Sequence, residues 1–185
     1  MKPKIMETPA NTKYSLKAFK YAKFASHETN CFSATVCYDG KAVGHAENDG
    51  QGGSTIVHLN EYGRGIPAVV AANKAGGWVE ATEANVGKKA PDSLEEIVDA
   101  LVEDLLTAKW VEQKKKKVAK DLATTVIFTK KGDKPDEYRT LAKKFATPAE
   151  TLAAASIIHT KIANVDKVLN LLPFEDAFKM LVKVG

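Results

Sequence analysis

The sequence predicts an α+β protein in which an N-terminal antiparallel sheet precedes helices, a second β-hairpin and C-terminal helices. The stretch 31–59 alternates apolar and polar residues on both sides of an Asp-Gly turn and carries a glycine-rich tip. Two helix start signals follow, at Ser93 and Thr147, with a β-branched run between them at 124–130. Strands that come before helices, rather than alternating with them, favour an antiparallel sheet.

The composition is that of an ordinary globular protein, with 185 residues, 44% of them hydrophobic, 27% charged and a net charge of +4. We expect a flexible N-terminal arm at 1–13, an antiparallel sheet region at 14–62, and a mainly helical region at 63–185 with a hairpin at about 124–145. The last two regions are expected to form one compact domain. No apolar run approaches the ~20 residues that cross a bilayer, so we expect no membrane contact.

The two cysteines indicate a reducing compartment. Cys31 and Cys37 lie six residues apart on one predicted strand, a separation of roughly 20 Å, which is too far for a disulfide. We therefore expect free thiols and a cytoplasmic protein. Neither cysteine has the neighbouring base that activates a nucleophile, and no Cys-x-x-Cys spacing is present. We assign no catalytic residue and expect no cofactor, so an enzyme is the less favoured alternative.

The first strand is predicted at 14–24, with Phe19 and Tyr21 on one face and Leu16, Ala18 and Phe24 on the other. The next two strands are joined by Asp39-Gly40, which favours a type I′ turn because both central residues need positive φ. The return strand carries only small side chains on one face, and we call it the thin strand. A bulky element should pack on that face. Its small residues are Ala42, Gly44 and Ala46.

Helices are predicted at 68–75, from Ser93 toward Leu122, at 149–161 with Leu152 facing inward, and after Pro173. A break of the long helix near Lys109 stays open, as does a further turn or two at 78–85. The returning strand of the second hairpin is expected at 138–145. The segment 165–172 fits either a short helix or a buried strand.

The glycine-rich loop is the first candidate binding feature. Its residues are Asn48, Asp49, Gly50, Gln51, Gly52 and Gly53. One interpretation is an anion nest, in which consecutive amides converge on a phosphate. The favoured interpretation is a hairpin connection that needs positive φ at several positions. The loop has neither the P-loop spacing nor the dinucleotide fingerprint.

Two histidines flank this loop on adjacent predicted strands. If the strands bring His45 and His58 opposite each other, the pair could bind a metal together with Asp49 or exchange protons. A strand histidine is more often a half-exposed packing residue, so the three residues are weak metal candidates and we predict no metal site.

A basic segment is the second candidate. The stretch 109–144 holds 12 lysines and arginines against 5 acidic residues. Such a patch can hold a nucleic-acid backbone or an acidic partner through its charges, although four consecutive lysines on a helix are also typical of a solvated surface. The candidate contact residues are Lys114, Lys115, Lys116, Lys117, Lys120, Lys130, Lys131 and Arg139.

The run 24–36, FASxETxCFxATV, with Asp39-Gly-Lys41 and the run NDGxGG at 48–53, resembles a pattern in small proteins of bacteriophages, plasmids and other mobile elements. The segment 168–175, with the pattern VLNxLPFE, is similar to the C-terminal segment of that largely uncharacterised family. The resemblance implies no catalytic residues. It implies expression in a host cytoplasm, where small mobile-element proteins, anti-CRISPR proteins among them, counter host defence by occupying a nuclease or its guide complex.

We therefore expect a non-enzymatic accessory protein that binds and inhibits or modulates a host protein or a protein–nucleic acid complex. Two alternatives stay open. One is a direct nucleic-acid-binding protein that uses the basic segment 109–144. The other is a small-ligand or metal-dependent enzyme built on the glycine-rich loop.

Overall fold

A computed structural model describes residues 13–75, 93–135 and 137–182, and it confirms the α+β class. A four-stranded antiparallel sheet has the order β1-β2-β3-β4, and a three-stranded sheet has the order β6-β5-β7. The elements are β1 (Tyr14–Tyr21), β2 (Phe32–Tyr38), β3 (Lys41–Asn48), β4 (Ile56–Leu59), α1 (Glu61–Arg64), α2 (Pro67–Ala75), α3 (Leu94–Thr124), β5 (Ile127–Lys130), β6 (Arg139–Thr140), α4 (Pro148–Ser156), α5 (Ile158–Lys161), β7 (Val165–Val168) and α6 (Phe174–Leu181).

The chain divides into two compact units, and the division along the chain falls between Leu106 and Thr107, inside α3. We call the described residues before this point the N-terminal unit and those after it the C-terminal unit. The expectation that 14–62 and 63–185 form a single domain stays a prediction. The arm expected at 1–13 lies, but for Lys13, outside the described residues, and the turns expected at 78–85 lie wholly outside them.

The hairpin between β2 and β3 has the predicted turn. Asp39 has φ 46° and Gly40 has φ 79°, as a type I′ turn requires. The register pairs Phe32 with Asn48 and Ala34 with Ala46. The thin strand β3 contacts a helix of its own chain, α1. A Cβ on Gly63 of α1 would collide with the carbonyl of Val43, so the close approach needs glycine.

The predicted faces of the first strand are wrong. The register of β1 shifts between Lys17 and Lys20, and Ala18 adopts φ 50°. A bulge of this kind turns the residues after it to the opposite face. Leu16, Phe19 and Tyr21 therefore all pack against one core. The strand also ends earlier than expected, since 23–25 form a 3-10 helix whose Phe24 is 88% exposed.

The core of the N-terminal unit lies between the four-stranded sheet and its helices. It buries sheet residues such as Val36 and Val43 against Val69 of α2 and Leu94 and Val98 of α3. Burying side chains of this size contributes about 1.5–3 kcal/mol each. This layer fixes the sheet and leaves its other face to the polar residues of the strands.

The long helix α3 begins with the predicted capping box. The Ser93 amide donates to Glu96 Oε2 at 2.8 Å, and the Glu96 amide donates to Ser93 Oγ at 3.1 Å. The helix then continues without interruption to Thr124, so the break near Lys109 that the sequence left open does not occur. Neither glycine nor proline occurs along it, and nothing in its sequence interrupts the backbone hydrogen bonds.

The C-terminal unit packs α4 and α5 against the small sheet around Phe128, Ile158 and Val168. The returning strand is shorter than the expected 138–145. After Thr140 the chain makes separate backbone hydrogen bonds to residues before β5, from the Leu141 amide to the Val126 carbonyl at 3.1 Å and from the Phe145 amide to the Thr124 carbonyl at 2.8 Å. The expected helix at 149–161 is divided at Ile157.

Leu152, expected inside, is 51% exposed. On the same helix Thr151 is buried, and its hydroxyl donates to the Ala123 carbonyl at 2.7 Å. That hydrogen bond directs Thr151 inward and turns Leu152 outward. The segment 165–172 contains strand β7 followed by a 3-10 helix at Leu169–Leu171.

Candidate binding surfaces

The glycine-rich loop is held by the side chain of Asn48, which is buried at the end of β3. Its Oδ1 accepts from the Thr29 hydroxyl at 2.8 Å and from the Gly50 amide at 2.9 Å. Its Nδ2 donates to the Gly53 carbonyl at 2.9 Å and to the Thr55 hydroxyl at 3.3 Å. One side chain therefore ties the loop to itself and to the segment before β2.

The amides that would form an anion nest are engaged inside the protein. Three consecutive amides, at 50–52, each donate to a side-chain oxygen at 2.9–3.3 Å. The acceptors are Asn48 Oδ1, Asp49 Oδ1 and the Thr29 hydroxyl. A ligand at these amides would have to displace hydrogen bonds that the protein already makes, which costs free energy.

The surface beside the loop is acidic. A depression of about 650 Å³ lies there, and Glu47 and Asp49 contribute carboxylates to its lining. A phosphate in this depression would meet two like charges, which disfavour its binding. The geometry of 48–53 therefore favours the structural interpretation of the loop.

The conformation of the glycine-rich loop depends on Gly50. It has φ 83°, and its carbonyl accepts from the amides of His27 and Glu28, each at 3.0 Å. A Cβ at this position would lie 2.8 Å from Cys31 Cβ and closer still to the Ala25 carbonyl. The loop thus requires glycine here for both its conformation and its packing.

A polar connection between the loop and α3 was not anticipated from the sequence. The buried Thr55 hydroxyl donates to Asp99 Oδ1, and Asn30 Nδ2 donates to Glu103 Oε1 at 2.6 Å. Burial raises the pKa of the Asp99 carboxyl, the hydrogen bond from Thr55 opposes this rise, and the nearby Glu103 and Glu96 add to it. The signal in the sequence was the i, i+4 spacing of Asp99 and Glu103, which places both on one helix face.

The two strand histidines do lie opposite each other. His45 of β3 pairs in register with His58 of β4, and both are exposed. His45 Nε2 lies 3.7 Å from Glu47 Oε2. Asp49 does not join the pair, since its Oδ1 accepts from the Gln51 amide of its own loop. Within 13–75, 93–135 and 137–182, no group of three or more His, Cys, Asp or Glu side chains is placed to hold a metal ion.

The cysteines are free thiols in the sheet, with Cys37 buried and Cys31 half-buried. The adjoining strand residues of the outer face are polar: Lys17, Thr35, His45 and His58 form one cross-strand row. This face therefore offers hydrogen-bonding groups but no activated nucleophile that we can identify among the described side chains.

Half of the predicted basic contact residues interact within the protein. Lys114 lies over the Trp110 ring at 5.4 Å, and Lys116 Nζ pairs with Glu112 at 2.7 Å. Lys115 Nζ donates to Glu175 Oε1 at 2.8 Å. The Lys115 contact joins α3 to α6, whereas the contacts of Lys114 and Lys116 lie within α3.

Arg139 of β6 is also engaged. Its guanidinium donates to both carboxylate oxygens of Asp133, at 2.8 and 3.2 Å. Hydrogen bonds from Arg139 hold the pKa of the Asp133 carboxyl below its usual value, and the Lys130 amide, which donates to Asp133 at 2.7 Å, contributes. Arg139 therefore closes the turn of the second hairpin.

The remaining four lysines form fewer contacts within the fold, and of these Lys130 adds its charge to the effects that lower the pKa of the Asp133 carboxyl. Lys117, Lys120 and Lys131 are exposed, and Lys130 is half-buried. None of the four side chains forms an ion pair with a residue of the described ranges. Lys117 and Lys120 are three residues apart on α3 and share a helix face. We call Lys117, Lys120, Lys130 and Lys131 the free lysines.

Comparisons with protein-family models, with curated proteins and with solved structures give no match to this chain. The resemblance to mobile-element proteins therefore stays a prediction. Along the described ranges, none of the helices is both long and apolar enough to cross a bilayer.

Proposed function

We propose that this protein works by binding, and that the free lysines are its contact with an acidic surface of a host protein or a protein–nucleic acid complex. The single observation that supports this is the contrast within the basic segment. Four of the eight predicted contact residues have partners in the fold, while Lys117, Lys120, Lys130 and Lys131 have no ion-pair partner among the described residues. A charge that forms no ion pair with the described residues is available to steer and hold a partner.

The resemblance to mobile-element proteins gives this proposal a setting. A small host-cytoplasmic protein that occupies a defence nuclease or its guide complex would inhibit it without catalysis, as anti-CRISPR proteins do. Such complexes carry exposed phosphates and acidic surfaces, to which the free lysines are complementary in charge.

The test is affinity capture from the natural host, followed by quantitative mass spectrometry. The bait is the full chain, compared with a K117E/K120E/K131E variant. The matched control is K161E/K167E/K179E, which reverses three exposed lysines of the same unit. We expect one partner to be retained by the wild type and the control and to be lost from the K117E/K120E/K131E bait.

Two outcomes would contradict the proposal. One is that no partner is retained above background at low salt. The other is that both triple variants lose the partner equally, because the effect would then follow net charge and not the free lysines.

Direct binding of nucleic acid is the second candidate, and the same lysines favour it. It predicts that purified protein shifts DNA or RNA at low salt and that affinity falls steeply as salt rises. Each interaction with a phosphate that K117E/K120E/K131E removes should reduce the slope of log affinity against log salt by about 1. The absence of any mobility shift at low salt would exclude this candidate.

A further inference from the structure

A groove runs along β4, which is the last strand in the order β1-β2-β3-β4. It has a volume of about 400 Å³ and is formed by β4, the end of α1 and one face of α2. Its lining combines three apolar residues with four polar or cationic ones: Val57, Leu59 and Val70 with His58, Arg64, Asn73 and Lys74.

The strand offers backbone hydrogen-bonding groups to this groove. The Asn60 amide donates to the Val43 carbonyl at 3.0 Å, which identifies the hydrogen-bonded positions of the β3–β4 ladder. Because bonded and non-bonded pairs alternate along antiparallel strands, the N–H and C=O groups of Val57 and Leu59 point away from β3. No strand of the described residues pairs with that side of β4.

The charged side chains at the groove are cationic. Arg64 is the last residue of α1, and Lys74 lies in the last turn of α2. Both are exposed, and neither side chain has an ion-pair partner in the described part of the chain. Carboxylates are the groups in a partner chain that complement them.

The opposite edge of the sheet, formed by β1, is less regular than the edge formed by β4. The ladder of β1 is interrupted by the bulge at Ala18, which twists the strand and spoils a regular edge. β4 pairs with β3 without any register shift, so its free edge is regular over four residues, or about 13 Å.

We propose that the groove along β4 binds an extended acidic peptide of a partner protein, which adds a fifth strand to the sheet. Backbone hydrogen bonds form with Val57 and Leu59, an apolar side chain of the peptide packs on Val70, and its carboxylates pair with Arg64 and Lys74. An extended peptide fits better than a nucleic acid, because the groove combines unpaired backbone groups and apolar side chains with its two cations. The site belongs to the N-terminal unit and is independent of the free lysines.

The test measures fluorescence anisotropy with the full chain and a labelled eight-residue peptide of valine, threonine and two glutamates. We expect saturable binding that weakens at least tenfold in R64E/K74E. The charge-matched control K20E/K23E, on exposed residues of the same unit, should stay within twofold of wild type. A peptide with two lysines in place of the glutamates should not bind.

A second arm separates strand addition from simple charge attraction. Two peptides carry N-methyl groups on alternate amides, in opposite phase, so that one phase blocks the amides that face β4 and the other does not. We expect the first phase to lose binding and the second to keep it. Titration with the peptide should shift the amide resonances of Val57 and Leu59, which locates binding at β4. Thermal unfolding of each variant confirms that folded proteins are compared.

Three results would overturn the proposal. One is equal binding of the glutamate and lysine peptides, and another is equal binding of the two methylated phases. The third is a wild-type dimer in sedimentation velocity that R64E/K74E dissociates, since a second copy of the chain would then be the occupant of the groove.

Discussion

The glycine-rich loop at 48–53 and the basic segment at 109–144 use their polar groups in opposite ways. In the loop, Asn48 and three consecutive amides make hydrogen bonds within the protein. In the basic segment, Lys117, Lys120 and Lys131 are exposed and have no ion-pair partner among the described residues. Hydrogen bonds that the fold makes contribute to stability, whereas free charges act on partners. Substitutions in the loop should therefore change stability, and substitutions of the free lysines should change binding.

The two parts of the sequence also differ in net charge. Residues 3–106 carry 10 basic and 14 acidic residues, a net charge of −4. Residues 107–185 carry 16 basic and 9 acidic residues, a net charge of +7. The mild overall charge of +4 conceals this difference, and an acidic partner surface should distinguish the two units.

The largest expected effect tests whether the loop is structural. Gly50→Ala places a Cβ against the Ala25 carbonyl and Cys31 at a backbone φ of 83°. We expect it to lower the free energy of unfolding by about 2–4 kcal/mol, as measured by urea denaturation. Gly53→Ala is the control, since a Cβ there meets no atom within 4 Å, and it should change stability by less than about 0.5 kcal/mol. Equal effects of the two substitutions would contradict the structural role.

The next effect tests the buried amide at the end of β3. Asn48→Ala removes all four hydrogen bonds of this side chain and leaves the buried Gly50 amide without its acceptor. We expect a loss of about 2–3 kcal/mol. Asp49→Ala removes one exposed hydrogen bond to Gln51 and should cost about 0.5 kcal/mol or less. A greater loss of stability in D49A than in N48A would show that Asp49, and not Asn48, holds the loop.

Asp99 should give a smaller effect that depends on pH. Its folded pKa is raised above the usual 3.8 by burial, so its contribution to stability is full below pH 3.8 and falls as pH rises above that value. Asp99→Asn keeps an acceptor for Thr55 without the charge. We therefore expect D99N to gain stability over wild type near pH 7 and to lose that gain below pH 3.8, as measured by thermal unfolding across pH. A neutral-pH loss in D99N would contradict this sign.

Asp133 should give the smallest effect, with the opposite sign. Its folded pKa is lowered below the usual 3.8 by Arg139, so its contribution is present above pH 3.8 and is lost as pH falls through the lowered value. Asp133→Asn should therefore be slightly less stable than wild type near pH 7, and the two should converge in acid. Raising salt should shrink the difference, because Arg139 is 45% exposed. A difference that grows toward acid pH would show that Arg139 is not the cause.

The regular parts of the fold were predictable because local chemistry determines them. Asp39-Gly40 fixes the turn, and the reciprocal hydrogen bonds of Ser93 and Glu96 fix the start of α3. The β1 bulge could not be predicted, because Ala18 is not a residue type that favours positive φ. The outward side chain of Leu152 depends on Thr151 reaching the distant Ala123 carbonyl, which is a tertiary contact with no local signal.

The residue types at the candidate surfaces were predictable from the sequence, but the interaction partner of each side chain was not. The sequence places His45 and His58 on neighbouring strands, and the register brings them together. It gives no means of telling Lys116, which pairs with Glu112, from Lys117, which does not pair within the described residues. The groove of Arg64 and Lys74 arises from the packing of α2 beside β4, so no pattern along the chain indicates it.

The two-residue turn at Asp39-Gly40 also has a consequence for the order of folding. Contacts between β2 and β3 close the shortest loop in the sheet, and hairpins of this kind form in about 1–10 μs. The capping box joins neighbours, but Leu94 and Val98 reach the sheet across more than 30 residues of intervening chain, which delays their docking. We expect pulse-labelled hydrogen exchange to show early protection at Val36 and Ala46 and later protection at Val98 and Val102, which lie inside α3 and in the same core. The hairpin would then act as the template on which the helical layer condenses.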